Sequence, residues 1–424
     1  MSFDDEADVI VVGAGPGGSA TAHYLAQQGH KVIVLEKSAF PRDKICGDGL
    51  TPRSVAEVIR MGVDTTGWIR NYGLRAIGGG HTIEVPWPEL NSMPSYGMAR
   101  ARGKFDEDLA RHAERSGAEL RENMTVVGPI IHERSGRVIG VEARPKGADR
   151  AAPPLRFAGR FVVDAGGVSA RLATAVGREK AMNRPMGVAV RTYFKSPRHN
   201  EPVMESHLEL WDGKPGASNL MPGYGWVFPL GDGTCNVGLG SLSSTAKPTG
   251  IDYRELFATW MRNAPAEWEF TEENQVGPVR GAALPMAFNR KPHYDAGLLL
   301  VGDSGGMVSP FNGEGIAYAM ASGRMAADFI GQALARRTLG AQDRVMSQYS
   351  AELSSQLGGY YTLGRVFAAL IERPEIMHLC VHHGLPRPTL MRFVMKLLSD
   401  CYDHRDGDWM DRIIAALTKV VPSA

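Results

Sequence analysis

An α/β chain built on a dinucleotide-binding sheet, with an antiparallel-sheet part and a helical C-terminal region, is what this sequence predicts. Three observations predict it. The first is an N-terminal strand that runs through Gly13-Ala14-Gly15-Pro16-Gly17-Gly18 into a helix, then into a strand ending in an acid. The second is a set of period-two apolar runs in mid-chain, separated by Pro222-Gly223 and Gly231-Asp232-Gly233. The third is a Leu-, Met-, Phe- and Val-rich stretch from about Ser347 onward that reads as mostly helical.

Bulk properties set the frame. At 424 residues the chain exceeds one average core and falls short of three independent domains. Its formal net charge of +1 argues against nucleic acid as a main partner. Cys46, Cys235, Cys380 and Cys401 form no C-x-x-C pair, so neither a metal site nor a disulfide framework is expected, and a reducing, cytoplasmic setting is. The acidic first residues lead straight into a strand, so no signal peptide is expected. No uncharged apolar run approaches the roughly 20 residues of a spanning helix. Residues 144–156 read as an exposed hairpin excursion.

The first unit comprises a strand at Asp8–Val12, a helix at Ser19–Gln28 closed by Gly29, and a strand at Lys31–Glu36. Gly13 permits the tight turn, Gly15 lets backbone approach a pyrophosphate, and Gly18 allows close helix–strand packing. Ala14, Pro16 and Gly17 complete the loop, whose helix N-terminus offers free N–H groups to phosphates. Glu36, with Lys37 beside it, is placed to meet the ribose hydroxyls. This unit alone does not separate NAD from FAD.

Two later segments decide for FAD. The strand in Val162–Gly167 ends in an acidic D-x-G turn, Asp164-Ala165-Gly166, followed by a helical Ser169–Val176. Leu298–Val301 delivers Gly302-Asp303, with Asp303 placed for the ribityl chain or, alternatively, as a helix cap. Beyond it, Gly313, Gly315 and Ile316 open a helix at Ala317–Ala333, whose positive end faces the isoalloxazine and stabilises charge on the reduced ring. No second G-x-G-x-x-G follows, so electrons come from NAD(P)H docking transiently or from a reduced carrier protein. The expected division is an FAD-binding part at 1–80, 98–183 and 278–345, a substrate sheet at 81–97 and 184–277, and a helical region at 346–424.

The sheet is read from Val188–Phe194, Ser206–Trp211, Tyr224–Leu230 and Thr234–Leu242. Tyr224, Trp226 and Phe228 share one face, which roofs the flavin where a greasy substrate would lie; ordinary core packing is the alternative. In the helical region Leu390–Leu398 is amphipathic, with Arg387, Arg392 and Lys396 near or within it. Such a helix most often packs on its own protein. The sharper reading is a contact with the inner face of the cell membrane that admits a lipid.

With these residues in place the chain resembles the geranylgeranyl reductase family, of the para-hydroxybenzoate hydroxylase fold type, and is most similar within it to actinobacterial menaquinone reductases. The likeness covers nearly the whole chain. It runs from Phe40–Arg53, with Lys44-Ile45-Cys46-Gly47-Asp48-Gly49, through Pro94–Gly97, Ser206–Leu210 and Tyr224–Pro229 to Asn312–Ile316 and Arg405–Trp409. It implies bound FAD that is reduced and then used to saturate an isoprenoid double bond. It also implies Arg102 at the flavin nucleotide, the Val126 backbone at the adenine, and Cys46, Gly47 and Gly49 near the flavin ring. Two departures are visible: Pro222 stands two residues before Tyr224 rather than three, and the acidic turn reads Asp-Ala-Gly rather than Ala-Asp-Gly.

An isolated trisubstituted alkene has no carbonyl to stabilise a carbanion, so protonation with cationic character at the tertiary carbon is the accessible route. That asks for a dry apolar tunnel, electron-rich walls and a proton donor. Tyr224 and Trp226 supply the walls, and Cys46 or Tyr224 the proton; a packing role for Cys46 is the alternative. Menaquinone is the expected substrate, with geranylgeranyl diphosphate or a geranylgeranyl lipid as alternatives. A diphosphate demands a basic entrance, for which Arg53, Arg70 and Arg75 are candidates. Two rival readings are a flavin monooxygenase or halogenase and a non-catalytic prenyl carrier. Related halogenases carry W-x-W-x-I-P and a lysine beside the tunnel, where this chain has Tyr224-x-Trp226-x-Phe228-Pro229 and no evident lysine.

Overall fold

The computed structural model describes residues 2–243 and 250–424. Among these the expected α/β body is present as two large sheets joined by helices. The first sheet has eight strands, with Tyr294–Asp295, Leu298–Leu300, Leu155–Asp164, Asp5–Val12, Val32–Leu35 and Glu119–Arg121 in spatial order. The four central pairings from Leu298–Leu300 to Glu119–Arg121 are parallel. Val9, Ile10 and Val11 are fully buried: helices cover the Val9 and Val11 face, and Met124, Val126, Val141 and Leu172 cover the Ile10 face. The antiparallel strands Met124–Ile131 and Val138–Pro145 extend it, and the exposed 146–154 loop closes the expected hairpin.

The Pro16–Gln27 helix lies tightly against the Ile316–Leu334 helix because glycines stand where they meet. A Cβ on Gly17 would come within 2.8 Å of Val301 Cγ1, and one on Gly323 within 2.5 Å of the Gly17 carbonyl. Close approach of these helices aligns both N-termini toward the same region. The Leu339–Ile371 helix braces this layer from outside. Its Tyr349 hydroxyl donates to the Leu300 carbonyl at 3.0 Å and its Tyr361 hydroxyl to the Met307 carbonyl at 2.9 Å.

The second sheet has seven strands in the order Gln275–Pro285, Met186–Lys195, Thr234–Ser243, Tyr224–Pro229, Met204–His207, Gly73–Gly78 and His81–Pro86. Its back face carries Val190, Val227, Val237 and Leu239, packed under Leu256 and Phe257 of the Tyr253–Arg262 helix. Three expectations need correction. Gly73–Gly78, assigned to 1–80 of the FAD-binding part, belongs to this sheet, and Gln275–Pro285 crosses the 277/278 boundary. The sheet is not wholly antiparallel, since Met204–His207 runs parallel to Gly73–Gly78. Ser206–Trp211 is not one strand: the chain turns out at Leu208-Glu209, and Leu210–Trp211 pairs with Leu220–Met221 in a separate ribbon. Glu209 explains the turn, because its carboxylate accepts the Gly79 N–H at 2.8 Å.

The amphipathic Pro388–Leu398 helix packs on its own protein. Met391 and Met395 join Val85, Trp87 and Met204, and Lys396 is paired with Asp408 at 2.8 Å and Asp411 at 2.7 Å. All four cysteines are free. Among the described residues no helix is long and apolar enough to cross a membrane, and no cluster of ligating side chains could hold a metal ion.

Candidate active site

The dinucleotide loop is shaped by contacts that a side chain would destroy. Gly13 has φ of 99°, and a Cβ there would strike the Ala165 carbonyl at 2.6 Å; one on Gly18 would sit 1.9 Å from the Gly13 oxygen. Above Gly15 the space is open, the nearest atom to a Cβ being Arg42 Nη2 at 3.9 Å. Gly15 caps the helix without a side-chain hydrogen bond, and no acid stands in the first turn, so the N–H groups there remain available to an anion. Pro16 is buried at the first helical position.

Glu36 is 3% exposed and accepts the Ala14 N–H at 2.9 Å. Arg42, unread in the sequence, donates to Glu36 at 3.2 Å and to Asp106 at 2.9 Å. Arg102 is buried beside it, bonded to Asp106 at 2.9 and 3.1 Å. Met124 donates its N–H to the Glu36 carbonyl at 2.8 Å, which sets Val126 two residues from the acid. Lys37 is exposed on the rim.

The acidic turn is closed from within. Asp164 is 1% exposed, and its carboxylate accepts Gly166 N–H at 3.0 Å, Ala173 N–H at 3.1 Å and Ser304 Oγ at 3.1 Å. Asp164 therefore ties two glycine segments together, while Gly166 lies on the open side. Asp303 is partly open and faces Lys44 Nζ at 3.7 Å; it caps no helix through its side chain. Gly315 begins the Ile316–Leu334 helix, again without a side-chain cap or an acid in the first turn. Two uncapped helix N-termini, a buried acid at the end of the second strand and a glycine cradle fit an FAD.

Next to Gly313, Gly315 and Ile316 lies a cavity enclosing about 910 Å³, counting the part open to solvent. Cys46, Gly47, Gly49, Tyr224, Trp226 and Phe228 all line it, so the structure brings together the expected ring-proximal and substrate residues. The aromatic face has room because its neighbour strand is bare: Trp226 lies opposite Gly238 and Tyr224 opposite Gly240. A Cβ on Gly238 would meet Trp226 Cζ2 at 2.3 Å. Gly47 and Gly49 let their segment lie against Phe228, each Cβ position falling near 3 Å from its ring at 3.0 and 3.1 Å. The period-two Asn236, Gly238, Gly240 in TCNVGLGSL was the available signal for this wall.

Polar groups at the cavity are few; among their buried atoms Glu314 Oε2 and Arg191 Nε have no hydrogen-bond partner. Tyr224 Oη donates to the Asn312 carbonyl at 2.5 Å, and burial pushes its phenol well above the ordinary range. Cys46 is held protonated by burial, against the pull of Arg102 and Lys44. Glu314 Oε1 accepts Thr51 Oγ1 and Ser54 Oγ, both at 2.7 Å, and burial raises its carboxyl. Arg191 is bound by Asp43 at 2.5 Å. Arg53 and Arg75 are paired with Asp400 and with Glu84, Glu201 and Glu205, and Arg70 lies over the Tyr96 ring at 4.5 Å.

Fold and site together define an FAD-dependent oxidoreductase of the para-hydroxybenzoate hydroxylase type. The family described as FAD binding domain matches residues 6–355. Menaquinone reductase of Mycobacterium tuberculosis is 35% identical over 418 residues, 97% of this chain and 96% of that protein. Digeranylgeranylglycerophospholipid reductase of Methanocella arvoryzae is 31% identical, with 83% of this chain and 84% of that protein covered. A geranylgeranyl bacteriochlorophyll reductase-like structure from Thermoplasma acidophilum superposes with a TM-score of 0.77 at 22% identity, covering 97% of this chain and 99% of that one. The chain belongs to the FAD binding domain family and, within it, to the geranylgeranyl reductase family of flavoproteins.

Proposed function

We propose that this flavoprotein saturates one carbon–carbon double bond in the isoprenoid tail of menaquinone. The carrying observation is the aromatic cavity abutting the flavin-facing helix terminus, in a chain that matches menaquinone reductases over 97% of its length. When bound and reduced, FAD supplies the hydride. The chain's own residues do the rest. Ile45, Leu242 and Leu284 give the cavity apolar walls that disfavour water, and the Tyr224 and Trp226 faces stabilise cationic character, worth about 2 kcal/mol or more in a desolvated site. Cys46 holds a proton at Sγ, since the Tyr224 proton is already given to Asn312.

A neutral quinone head suits this site better than a diphosphate. Arg191 is the one basic residue among the described lining, and Asp43 neutralises it; the three other candidate arginines are paired or stacked. The described lining holds no lysine, which supports reduction over halogenation. Electrons come from NAD(P)H or a reduced carrier protein. Contact with a lipid surface is supported by Trp409, Ile413, Leu417 and Val420, an exposed apolar stripe on the Trp409–Val420 helix. Mass spectrometry of quinones from a host with and without the protein tests the reading: a gain of two hydrogens in the tail is expected, and an unchanged tail refutes it.

A further inference from the structure

Trp226 meets the cavity with its ring because its polar atom is tied elsewhere. Its Nε1 donates to Asn236 Oδ1 at 2.8 Å, and Asn236 Nδ2 donates to Asp48 Oδ2 at 2.7 Å and to the Cys46 carbonyl at 3.1 Å. Asp48 Oδ1 accepts the Arg102 N–H at 2.9 Å. Asp48 and Asn236 are both fully buried, so water competes with none of these bonds. An amide has a donor end and an acceptor end of similar size, and packing alone does not choose between its two orientations. An ionised carboxylate accepts only, as does the Cys46 carbonyl, so the Asn236 NH₂ faces these two and its oxygen faces the indole; the charged, shorter bond to Asp48 is the stronger hold.

We infer that Asp48 is a positioning residue: it sets the Asn236 amide and thereby holds the Trp226 indole with its N–H turned away from the ligand and its π face toward it. The surroundings are built for this. Without side chains at Gly47 and Gly49, the Asp48 segment is seated directly on the aromatic strand. Arg191 and Tyr193 approach Asp48 from the Met186–Lys195 strand, Arg102 from its helix and Cys46 from its own segment. Burial lifts the Asp48 carboxyl to about 6, against the pull of Asn236, Arg191 and Arg102. Protonated, it loses the charge that strengthens its bond from Asn236 Nδ2, and the hold on the amide weakens. The consequence for turnover rests on the alkene-reductase reading; the consequence for the indole does not.

The test is indole ¹⁵N–¹H NMR of the FAD-loaded protein, with Trp226→Phe assigning one resonance among seven tryptophans. In the parent protein the Trp226 N–H is expected to exchange slowly and to titrate with a midpoint near 6. Asp48→Asn should abolish that titration and speed exchange about ten-fold or more, with flavin absorbance retained. Asn236→Leu, which removes the link from the other side, should do the same if Asp48→Asn folds poorly. For reduction, Asp48→Asn should lower kcat roughly ten-fold or more with KM nearly unchanged, because the ring shifts relative to the reacting carbon. A Trp226 signal that titrates and exchanges alike in parent and variants overturns the inference. A tied, titrating indole in a protein that leaves isoprenoids untouched supports it and refutes the reductase reading instead.

Discussion

Cys46 lines the cavity with the aromatic wall and the Gly315-Ile316 helix terminus, where the proposed reduction needs a proton. Cys46→Ala is expected to cut alkene reduction by about 10²-fold or more while flavin content stays constant; unaltered turnover removes Cys46 from the chemistry. Two buried carboxyls shape the acid response in opposite senses. Glu205 is 1% exposed; burial pushes its carboxyl up, but His207, Arg198 and Arg75 prevail and hold it near 2 rather than 4.5. Its stabilisation is therefore present above pH 4.5 and lost as pH falls toward 2. Asp48 is raised from 3.8 to about 6, so the folded state keeps a proton the unfolded chain has released, and stability falls as pH rises across that interval. Urea titrations should show Glu205→Gln destabilised by about 3–5 kcal/mol at neutral pH, with its acid limb flattened. In Asp48→Asn the decline between pH 3.8 and 6 should disappear.

The strands explain how the cavity stays open. Gly238 faces Trp226 across the ladder, so Gly238→Ala must displace the indole, the backbone, or both. The expected result is a protein that keeps its flavin and loses about 10²-fold in turnover; a crystal structure with the ring unmoved would contradict this. The strand–glycine–helix unit was readable because its signals are local: a turn that needs Gly13, an uncapped helix start, an acid at the next strand end. The shared face of Tyr224, Trp226 and Phe228 was readable because alternation is intrinsic to a strand. Partners far apart in sequence were not. Asn236 looks like any polar strand residue until its carboxylate partner, 188 positions away, is in place. The parallel pairing of Met204–His207 with Gly73–Gly78 likewise depends on a crossover that local pattern does not encode. That Asp164 closes its own turn was not legible either, because an acid doing so and an acid reaching a ligand have the same local sequence.

Across the molecule, the C-terminal region is bound to the floor of the site. Asp400 accepts Arg53 at 3.0 Å and the Tyr318 hydroxyl at 3.2 Å, and Asp403 accepts the Asn91 and Ser92 N–H groups at 2.8 and 3.1 Å. Arg53 stands two residues after Thr51, which holds Glu314 in the cavity lining. Arg53→Ala strands a buried Asp400 and is expected to cost about 3–5 kcal/mol, measurable by chemical denaturation.

Those straps run to the aromatic cavity, whereas the glycine loop is packed against Ala165, Val301, Ala319 and Gly323, none of them in the last helices. Warming or trimming from the far end should therefore open the aromatic cavity while the protein is still yellow. Colour alone would be a poor witness to a working enzyme.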